Sequence, residues 1–186
     1  MPIVYQPEIG AGWSRLQGQP KPGPVGQDPF IDMNSRFFKF LLNIYPPYIG
    51  AGIRIRKVAP DFREIVVQMR LRWYNRNYFN THFGGSLYAM VDPFFCLMLV
   101  QVLGKEYIVW DQAARIEFVK PGRGTVSALF KIGDEQVNEI LAQTADGRTY
   151  RPEYSVDVCD EAGEQVARIN KVLYIRKKDR RRSEKR

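Results

Sequence analysis

Asp92 is a carboxylate within an almost wholly apolar run that extends from residue 86 to residue 104. Burying a carboxylate without partners is very costly, so this side chain must be paired, protonated or close to solvent. Two interpretations stay open. If a helix begins at Pro93, Asp92 only caps it. If the helix begins near Gly84, Pro93 leaves the Ala89 carbonyl unbonded beside a carboxylate, an arrangement that is tolerated chiefly at functional sites.

Gly84 and Gly85 form a pair that lies eight and seven residues before Asp92. Because glycine has no side chain, a ligand can approach its backbone closely. Unpaired amides at a helix start attract negative charge, and against a carbonyl they would stabilise the oxyanion that forms on nucleophilic attack. A glycine pair is also common in ordinary turns, so the spacing alone leaves both roles open.

His82 is the only histidine in the chain, and a lone histidine is more often a hydrogen-bonded structural residue than a catalyst. Asn77 precedes it in a cluster with two other asparagines, a residue type that suits turns. Cys96 is predicted to be a core residue because its neighbours are apolar. The aromatic residues nearby fit either the core or an acyl-chain tunnel: Tyr88, Phe94, Phe95 and Trp110.

Length and charge limit the class of protein. The chain has 186 residues, 45% of them apolar, which predicts one globular domain with a core that needs no disulfide or metal. Residues 176–186 carry +6 of the net charge of +8, so the basic character belongs to a predicted solvated tail. That tail could also serve as a weak electrostatic arm for RNA or anionic lipid. The first residues show no charged-then-apolar signal segment, which predicts a cytoplasmic location.

Hydrophobic periodicity predicts the order of elements within a domain at residues 31–175, preceded by a Pro- and Gly-rich irregular arm at residues 1–30. The strand that includes Val67 and Met69 should also bury Trp73, and a short helix capped by Asp134 should bury Leu141. The predicted elements are a helix at 34–44, strands at 53–58 and 65–73, a buried helix ending before 104, strands at 107–119 and 125–132, the short helix, and strands at 154–158 and 166–175.

A helix that is apolar on every side needs a structure that surrounds it, and a curved antiparallel sheet does so. The sequence therefore predicts an α+β fold in which about six antiparallel strands wrap around a long buried central helix. Asp92 and Pro93, with Gln101, interrupt the run too often for a good membrane span.

The spacing Asn77-(six residues)-Gly84-Gly85-(six residues)-Asp92 resembles the signature of hotdog-fold acyl-CoA thioesterases of the phenylacetate-degradation type. The stretches THFGGSLYAMVDPFF and VWDQAARIEFVKPGRGTV are more similar to a little-characterised hotdog group named for a tetrameric acyl-CoA thioesterase. The resemblance covers about residues 31–175 and is specific over 75–126. It implies the hotdog fold and hydrolysis of an acyl thioester.

The resemblance also implies roles for single residues. Asp92 would be the nucleophile or general base, and Gly84, with Gly85 behind it, would offer the amide that polarises the thioester carbonyl. Asn77 would place the attacking water or the carbonyl. Asp111 departs from the family pattern, since it stands where the thioesterases often carry a small hydroxyl residue.

A second departure is Phe83, which separates His82 from the glycine pair and shifts the usual His-Gly-Gly alignment. We therefore keep His82 as a candidate site residue without a fixed role. The implied substrate-binding positions are Ser86, Tyr88, Trp110, Lys120 and Arg123, of which the two basic residues would meet the nucleotide phosphates of coenzyme A.

In this family the site forms between two subunits, so the resemblance implies a homodimer or homotetramer. It implies no cofactor and no metal, with an acyl-CoA or another acyl thioester as the substrate. The two departures motivate an alternative function, a non-catalytic acyl-CoA or lipid-binding hotdog protein. A dehydratase of the same fold and nucleic-acid binding through the tail are weaker alternatives.

Overall fold

The computed structural model describes residues 33–178, so the predicted arm and most of the predicted tail lie outside the described residues. The helices are α1 (Ser35–Ile44), α2 (Pro46–Ala51), α3 (Gly84–Ala89), α4 (Phe94–Leu103) and α5 (Asp134–Gln143). The strands are β1 (Ile53–Val58), β2 (Glu64–Arg70), β3 (Tyr107–Phe118), β4 (Thr125–Lys131), β5 (Thr149–Tyr150), β6 (Glu153–Cys159) and β7 (Gln165–Lys177).

The strands form one antiparallel sheet in the order β1-β2-β4-β6-β7-β3, and the short β5 pairs with β7. Alternate residues face opposite sides of each strand, so one face of the sheet is apolar and buried. Val67 and Met69 of β2 lie on this face beside Ala128 and Phe130 of β4. The predicted α+β class, an antiparallel sheet around a central helix, is confirmed. The sheet has seven strands because residues 149–150 add a strand that the periodicity did not predict.

The central helix is divided in two. α3 ends at Ala89, residues 90–93 form a turn with a cis Asp92–Pro93 peptide bond, and α4 follows. Neither interpretation of the sequence is therefore correct in full: the helical region begins at Gly84, but it does not continue through Asp92, and no side-chain hydrogen bond caps α4. Both halves contribute to the core, and Phe94, Met98 and Leu99 of α4 are buried against the sheet.

Gly84–Leu103 is long and apolar enough to cross a membrane by length and composition. In the structure this segment is not one continuous helix, since the turn at residues 90–93 interrupts it. Part of its surface is buried against the sheet of the same chain, including Met90 and Val91 in the turn itself.

The N-terminal helix follows the prediction, because the Asn34 side chain caps α1 by accepting a hydrogen bond from the Arg36 amide at 2.8 Å. The chain then turns directly into α2, which the sequence analysis did not predict. Pro46 at its first position needs no amide partner, so the prolines that end α1 also suit the start of α2.

Three side-chain predictions are wrong. Trp73 is 81% exposed, because β2 ends at Arg70 and the chain turns away there. Leu141 is exposed on α5. Asp134 does not cap α5, since it is the first helical residue and Gly133 holds the cap position.

Candidate active site

Lys171 lies at the centre of the most unusual polar cluster in the described residues. Its side chain is fully buried, yet its ammonium lies 2.6 Å from Asp92 Oδ1 and 3.0 Å from Asp111 Oδ2. The carboxylates are partly open to solvent, at 40% exposure for the Asp92 side chain and 20% for that of Asp111. Two anionic groups thus share one cation at the boundary between core and solvent.

Three separate elements bring these side chains together. Lys171 occupies an inward-facing position of β7, between the buried Ile169 and Leu173. Asp111 of β3 is paired in register with Leu173, so its side chain faces the same side of the sheet. Asp92 comes from the turn between α3 and α4, where the Tyr48 hydroxyl donates a 2.6 Å hydrogen bond to its backbone carbonyl.

The electrostatics of the cluster follow from burial and from the shared cation. Burial raises the pKa of Asp111, and the neighbouring Lys171 opposes that rise without cancelling it. Burial by itself would lower the pKa of Lys171, but its hydrogen bond to Asp92 and the charge of Asp111 outweigh burial and raise that pKa. Lys171 is therefore a cation at neutral pH and cannot act as a free amine nucleophile.

Tyr88 packs against the same cluster from α3. Its ring lies 5.6 Å from the Lys171 ammonium, within the range of a cation–π contact, and its hydroxyl donates a long 3.5 Å hydrogen bond to Asp92 Oδ1. Burial raises the pKa of Tyr88, so its phenol stays protonated at neutral pH. Lys171 and Tyr88 both approach Oδ1 of Asp92.

A second group of predicted residues lines a separate shallow cavity of about 340 Å³. Asn77, His82, Gly84 and Lys120 all belong to its lining, whereas Asp92 and Asp111 do not. Within one chain, the structure therefore divides the predicted site into an acidic part around Lys171 and a part around the start of α3.

His82 is buried, and its Nε2 lies 3.2 Å from the Gly124 carbonyl, which this nitrogen reaches as a donor when it carries the proton. Its Nδ1 is buried and has no hydrogen-bond partner within residues 33–178. Burial lowers the pKa of His82, and the bond to Gly124 only partly opposes this. His82 is thus neutral at pH 7.

Asn77 organises the loop that leads to α3. Its Oδ1 accepts hydrogen bonds from the Phe79 amide at 2.9 Å and the Thr81 amide at 3.1 Å, and its Nδ2 donates to Thr81 Oγ1 and the His82 carbonyl. These bonds give the side chain a structural function in this chain. They also use the amide group that the resemblance assigns to placing water or substrate.

The glycine pair at the start of α3 lies against aromatic rings. A Cβ on Gly84 would come within 3.0 Å of the Phe118 ring, and a Cβ on Gly85 within 2.5 Å of the Phe83 ring. Phe83 caps α3 without a side-chain hydrogen bond, and the first amides of a helix have no partner within it. A larger residue at either position would therefore have to displace one of these exposed rings, and Gly84 also lines the cavity.

The predicted substrate-binding residues do not converge. Trp110 stacks on Tyr174 at 4.0 Å, on the face of the sheet opposite to Asp111. Lys120 is bound by Asp160 at 2.6 Å and also by Glu164. Of the other predicted positions, Ser86 is buried, Tyr88 belongs to the acidic cluster, and Arg123 is exposed in the turn before β4.

Sequence reasoning missed Lys171, although a signal was present. Ile169, Leu173 and Ile175 form the inward face of the predicted strand, and Lys171 stands in phase with them. A lysine on the buried face of a strand requires an anionic partner. Within residues 33–178, no three His, Cys, Asp or Glu side chains are placed to hold a metal ion.

Replacing Lys171 tests whether its ammonium stabilises the fold by pairing with both Asp92 and Asp111. Lys171→Met leaves two neighbouring carboxylates without their cation, so we expect unfolding free energy at pH 7 to fall by about 3–5 kcal/mol. Since protonation removes the repulsion, the deficit in stability of the variant relative to the wild type should shrink as the pH is lowered from 7 to 5. Urea unfolding at several pH values measures this.

The matched control is Lys131→Met, which removes an exposed lysine that lies 3.6 Å from Glu64 and should cost at most about 1 kcal/mol. Adding Asp92→Asn and Asp111→Asn to Lys171→Met should recover much of the loss, because no unpaired charge remains. A Lys171→Met protein as stable as the wild type at pH 7 would show that the cluster is not an ion triad.

His82 predicts a pH dependence of the opposite sign. Its pKa is lowered in the folded state, so below the ordinary value of 6.5 the unfolded chain binds more protons than the folded one. Stability should therefore fall as the pH drops below 6.5, with a slope of at most about 1.4 kcal/mol per pH unit from this group. The slope should be smaller in His82→Gln, and equal slopes in thermal or urea unfolding would exclude the effect.

Comparison with known proteins supports the fold. A protein of unknown function from Pseudomonas aeruginosa, described as a probable thioesterase, has 14% identity and a TM-score of 0.69, over 80% of this chain and 99% of that one. A protein of unknown function from Chlorobaculum tepidum has 16% identity and a TM-score of 0.62, over 77% and 94%. A thioesterase from Haemophilus influenzae has 14% identity and a TM-score of 0.57, over 77% and 90%.

These similarities confirm the predicted hotdog fold. No curated protein matches the chain in sequence. Residues 34–175 match the family model described as "Domain of unknown function (DUF4442)", and this range coincides with the folded domain described above. The chain therefore belongs to the DUF4442 family.

Proposed function

We propose that this protein hydrolyses an acyl thioester, with Asp92 as the general base. The supporting observation is the Asp92 carboxylate, which is partly solvent-exposed at the break in the central helix of a hotdog fold while Lys171 holds its Oδ1 at 2.6 Å. The ammonium contacts Oδ1 through a charge-assisted hydrogen bond and fixes the carboxylate in one orientation. In the proposed reaction, Oδ2 accepts a proton from water.

The proposed reaction needs only water and the thioester. Asp92 takes a proton from water as the oxygen attacks the thioester carbonyl carbon, which forms a tetrahedral oxyanion. The amides of Gly84 and Gly85 donate hydrogen bonds to that oxyanion. When the intermediate collapses, the carbon–sulfur bond breaks, the thiolate takes the proton from Asp92, and a carboxylic acid and a thiol are released.

Geometry favours a site shared between two protomers. Gly84 lines the cavity at the start of α3, whereas Asp92 lies in the Lys171 cluster and is not part of that lining, so the two groups are separated within one chain. An oxyanion donor and a general base must both lie about 3 Å from the reacting group. The amides of one protomer would therefore act with Asp92 of the other.

β3 provides the surface for such a dimer. It is the last strand of the sheet and, within the described residues, pairs only with β7, so one edge of this 12-residue strand has no strand partner. Free strand edges tend to pair with another chain. Exposed apolar side chains, Phe83, Phe118 and Val119, lie beside this edge and the start of α3, and a partner would cover them.

For the substrate, we propose an acyl-CoA or a related acyl thioester. Tyr88 and Ser86 on α3 are the candidates for contact with the acyl group, because they lie between the glycine pair and Asp92. Among residues 33–178, Arg123 has no ion-pair partner and could meet phosphates, whereas Lys120 is held by Asp160 and Glu164. Comparing thiol release among different acyl-CoAs would identify the acyl chain that the protein prefers.

One observation favours the alternative, a non-catalytic protein that binds acyl thioesters or lipids. The Asp92 charge is already compensated by a fully buried lysine, and the Asn77 amide is used within its own loop. A binding protein would need the cavity and the fold but not a reactive carboxylate.

Thiol release from short, medium, long and aromatic acyl-CoAs tests the proposal. Asp92→Asn should lower kcat/KM by about 10²–10⁴, the usual contribution of a general base. The variant should still fold, because Lys171 keeps Asp111 as its partner. Asp146→Asn, which changes an exposed aspartate near the end of α5, is the matched control and should leave turnover unchanged.

No turnover on any thioester, together with thermal stabilisation of the wild type by an acyl-CoA, would support the binding protein instead. Full turnover by Asp92→Asn would remove Asp92 from the mechanism.

Introducing a charged residue at the β3 edge tests whether two protomers form the site together. Ala113 is exposed near the middle of β3, so in a two-fold β3–β3 pair it would lie close to its own copy. Ala113→Lys should place like charges together, dissociate the dimer in light scattering, and reduce thioester turnover at least tenfold. Ala142→Lys on the exposed side of α5 is the control. A fully active monomer would contradict the shared site, and an intact Ala113→Lys dimer would contradict the β3 interface.

A further inference from the structure

Four arginines lie together on the outer face of the sheet, away from the candidate active site. Arg54 and Arg56 of β1, Arg70 of β2 and Arg72 just after β2 line one concave pocket of about 520 Å³. No carboxylate lines this pocket. In β1 and β2, buried apolar residues alternate with outward-facing basic or polar residues, and this alternation places the arginines on one face.

Strand register holds the arginines close to one another. Arg54 is paired with Gln68, which makes Arg70 its diagonal neighbour on the same face, about 7–8 Å away between backbones. Like charges at this separation repel each other. Their clustering is therefore a cost to the folded chain that an anionic ligand would remove.

The guanidinium groups are available for a ligand. Among residues 33–178, none of the four forms an ion pair, and the only side-chain hydrogen bond from any of them runs from Arg54 Nη1 to the Asn43 carbonyl at 3.1 Å. By contrast, Arg63 and Arg168 elsewhere on the surface each bind an aspartate. The pocket thus concentrates about four positive charges that the described part of the chain does not neutralise.

Other polar groups in the pocket complement the arginines. Gln68 and Thr125 belong to the floor of the pocket, where Thr125 is paired in register with Arg70. Tyr74 stands at the rim with 44% of its surface exposed. The pocket therefore offers planar guanidinium donors, an amide, a hydroxyl and an aromatic ring around a volume that is typical of small-ligand sites.

We propose that this pocket binds a ligand that carries two or more phosphoryl groups. Guanidinium groups match phosphate oxygens in bidentate geometry, and four of them balance two doubly charged phosphoryl groups. A single carboxylate would leave most of the positive charge uncompensated. The shared chemistry fits either a free polyphosphate or the diphosphate of a nucleotide, for which Tyr74 would provide a stacking surface.

The pocket is distinct from the proposed hydrolytic site. Arg54 alternates with the buried Ile53 and Ile55, and Arg70 follows the buried Met69, so these arginines face outward. Lys171 is fully buried on the inward face of the same sheet. The sheet itself separates the two sites, and ligand binding in the pocket does not depend on thioester hydrolysis.

Titration calorimetry on the full chain with inorganic pyrophosphate, ADP and coenzyme A tests the proposal. The affected variant is Arg56→Gln with Arg70→Gln, which keeps the Arg54 bond to Asn43. Loss of two charge-assisted contacts should weaken binding at least about tenfold. The control is Arg148→Gln, which removes an exposed arginine after α5 and should bind as the wild type does.

Two further measurements separate a binding role from a structural one. The unliganded double variant should melt no lower than the wild type, because like-charge repulsion is removed. Arg56→Lys with Arg70→Lys should keep part of the affinity and lose it more steeply with added salt, since lysine keeps the charge but not the planar fork.

The probes also identify the source of the phosphates. Binding of pyrophosphate as tightly as ADP indicates a free polyphosphate, whereas binding of ADP and coenzyme A but not pyrophosphate indicates a nucleotide. The proposal is overturned if the wild type binds none of the three, if the double glutamine variant binds them as tightly as the wild type, or if only a single-stranded oligonucleotide binds.

Discussion

The buried ammonium of Lys171 constrains the centre of this fold. A fully buried cation costs several kcal/mol in lost hydration, so the chain must bring anionic groups to it. It does so from two elements at once, Asp111 on the neighbouring strand and Asp92 on the turn in the central helix. The sheet and the central helix are thereby joined by a charged contact within an otherwise apolar interface.

That contact accounts for the form of the helix break. A continuous helix would direct Asp92 according to the helical period, whereas the turn at residues 90–93 lets its side chain reach Lys171 while Tyr48 holds its carbonyl. Pro93 suits this position because it has no amide to satisfy. Asp92 is therefore held at its backbone carbonyl by Tyr48 and at its carboxylate by Lys171, which restricts the rotamers of its side chain.

The two carboxylates that share Lys171 differ in their exposure to solvent. Asp111 is more buried than Asp92, and burial raises its pKa even though the same lysine binds it. Asp92 is more open to solvent and makes its bond through one oxygen. Water reaches the more exposed carboxylate more easily, which is why Asp92 and not Asp111 is the proposed base.

Local patterns were enough to predict most of the sheet. Alternation located β1, β4, β6 and β7 within a few residues, because a strand period of two is a property of adjacent residues. Trp73 was misplaced for a non-local reason: the Leu71 amide donates to the Gly124 carbonyl at 2.8 Å, and the Asn75 side chain bonds the Arg72 amide and the Ala51 carbonyl, which turns the chain after Arg70.

The candidate site was predictable in its residue types but not in its arrangement. Asp92, Asp111 and the glycine pair could be named from the sequence, but the partner of the two carboxylates lies 79 positions from Asp92. Only the phase of Lys171 on its strand pointed to it. The sequence also did not specify the role of Asn77. Its amide group bonds Thr81 and His82 within its own loop, and residue spacing alone does not predict these bonds.

The sheet carries the Lys171 cluster on its inner face and the arginine pocket on its outer face, because successive side chains of a strand point to opposite faces. In β2, Val67 and Met69 face the core, and Gln68 and Arg70 face outward; in β7, Ile169, Lys171 and Leu173 face inward. A register slip of one residue would turn Lys171 to solvent and the arginines of β1 or β2 into the core. The apolar residues that fix the register of each strand therefore also determine which charges the core must neutralise and which remain available to ligands.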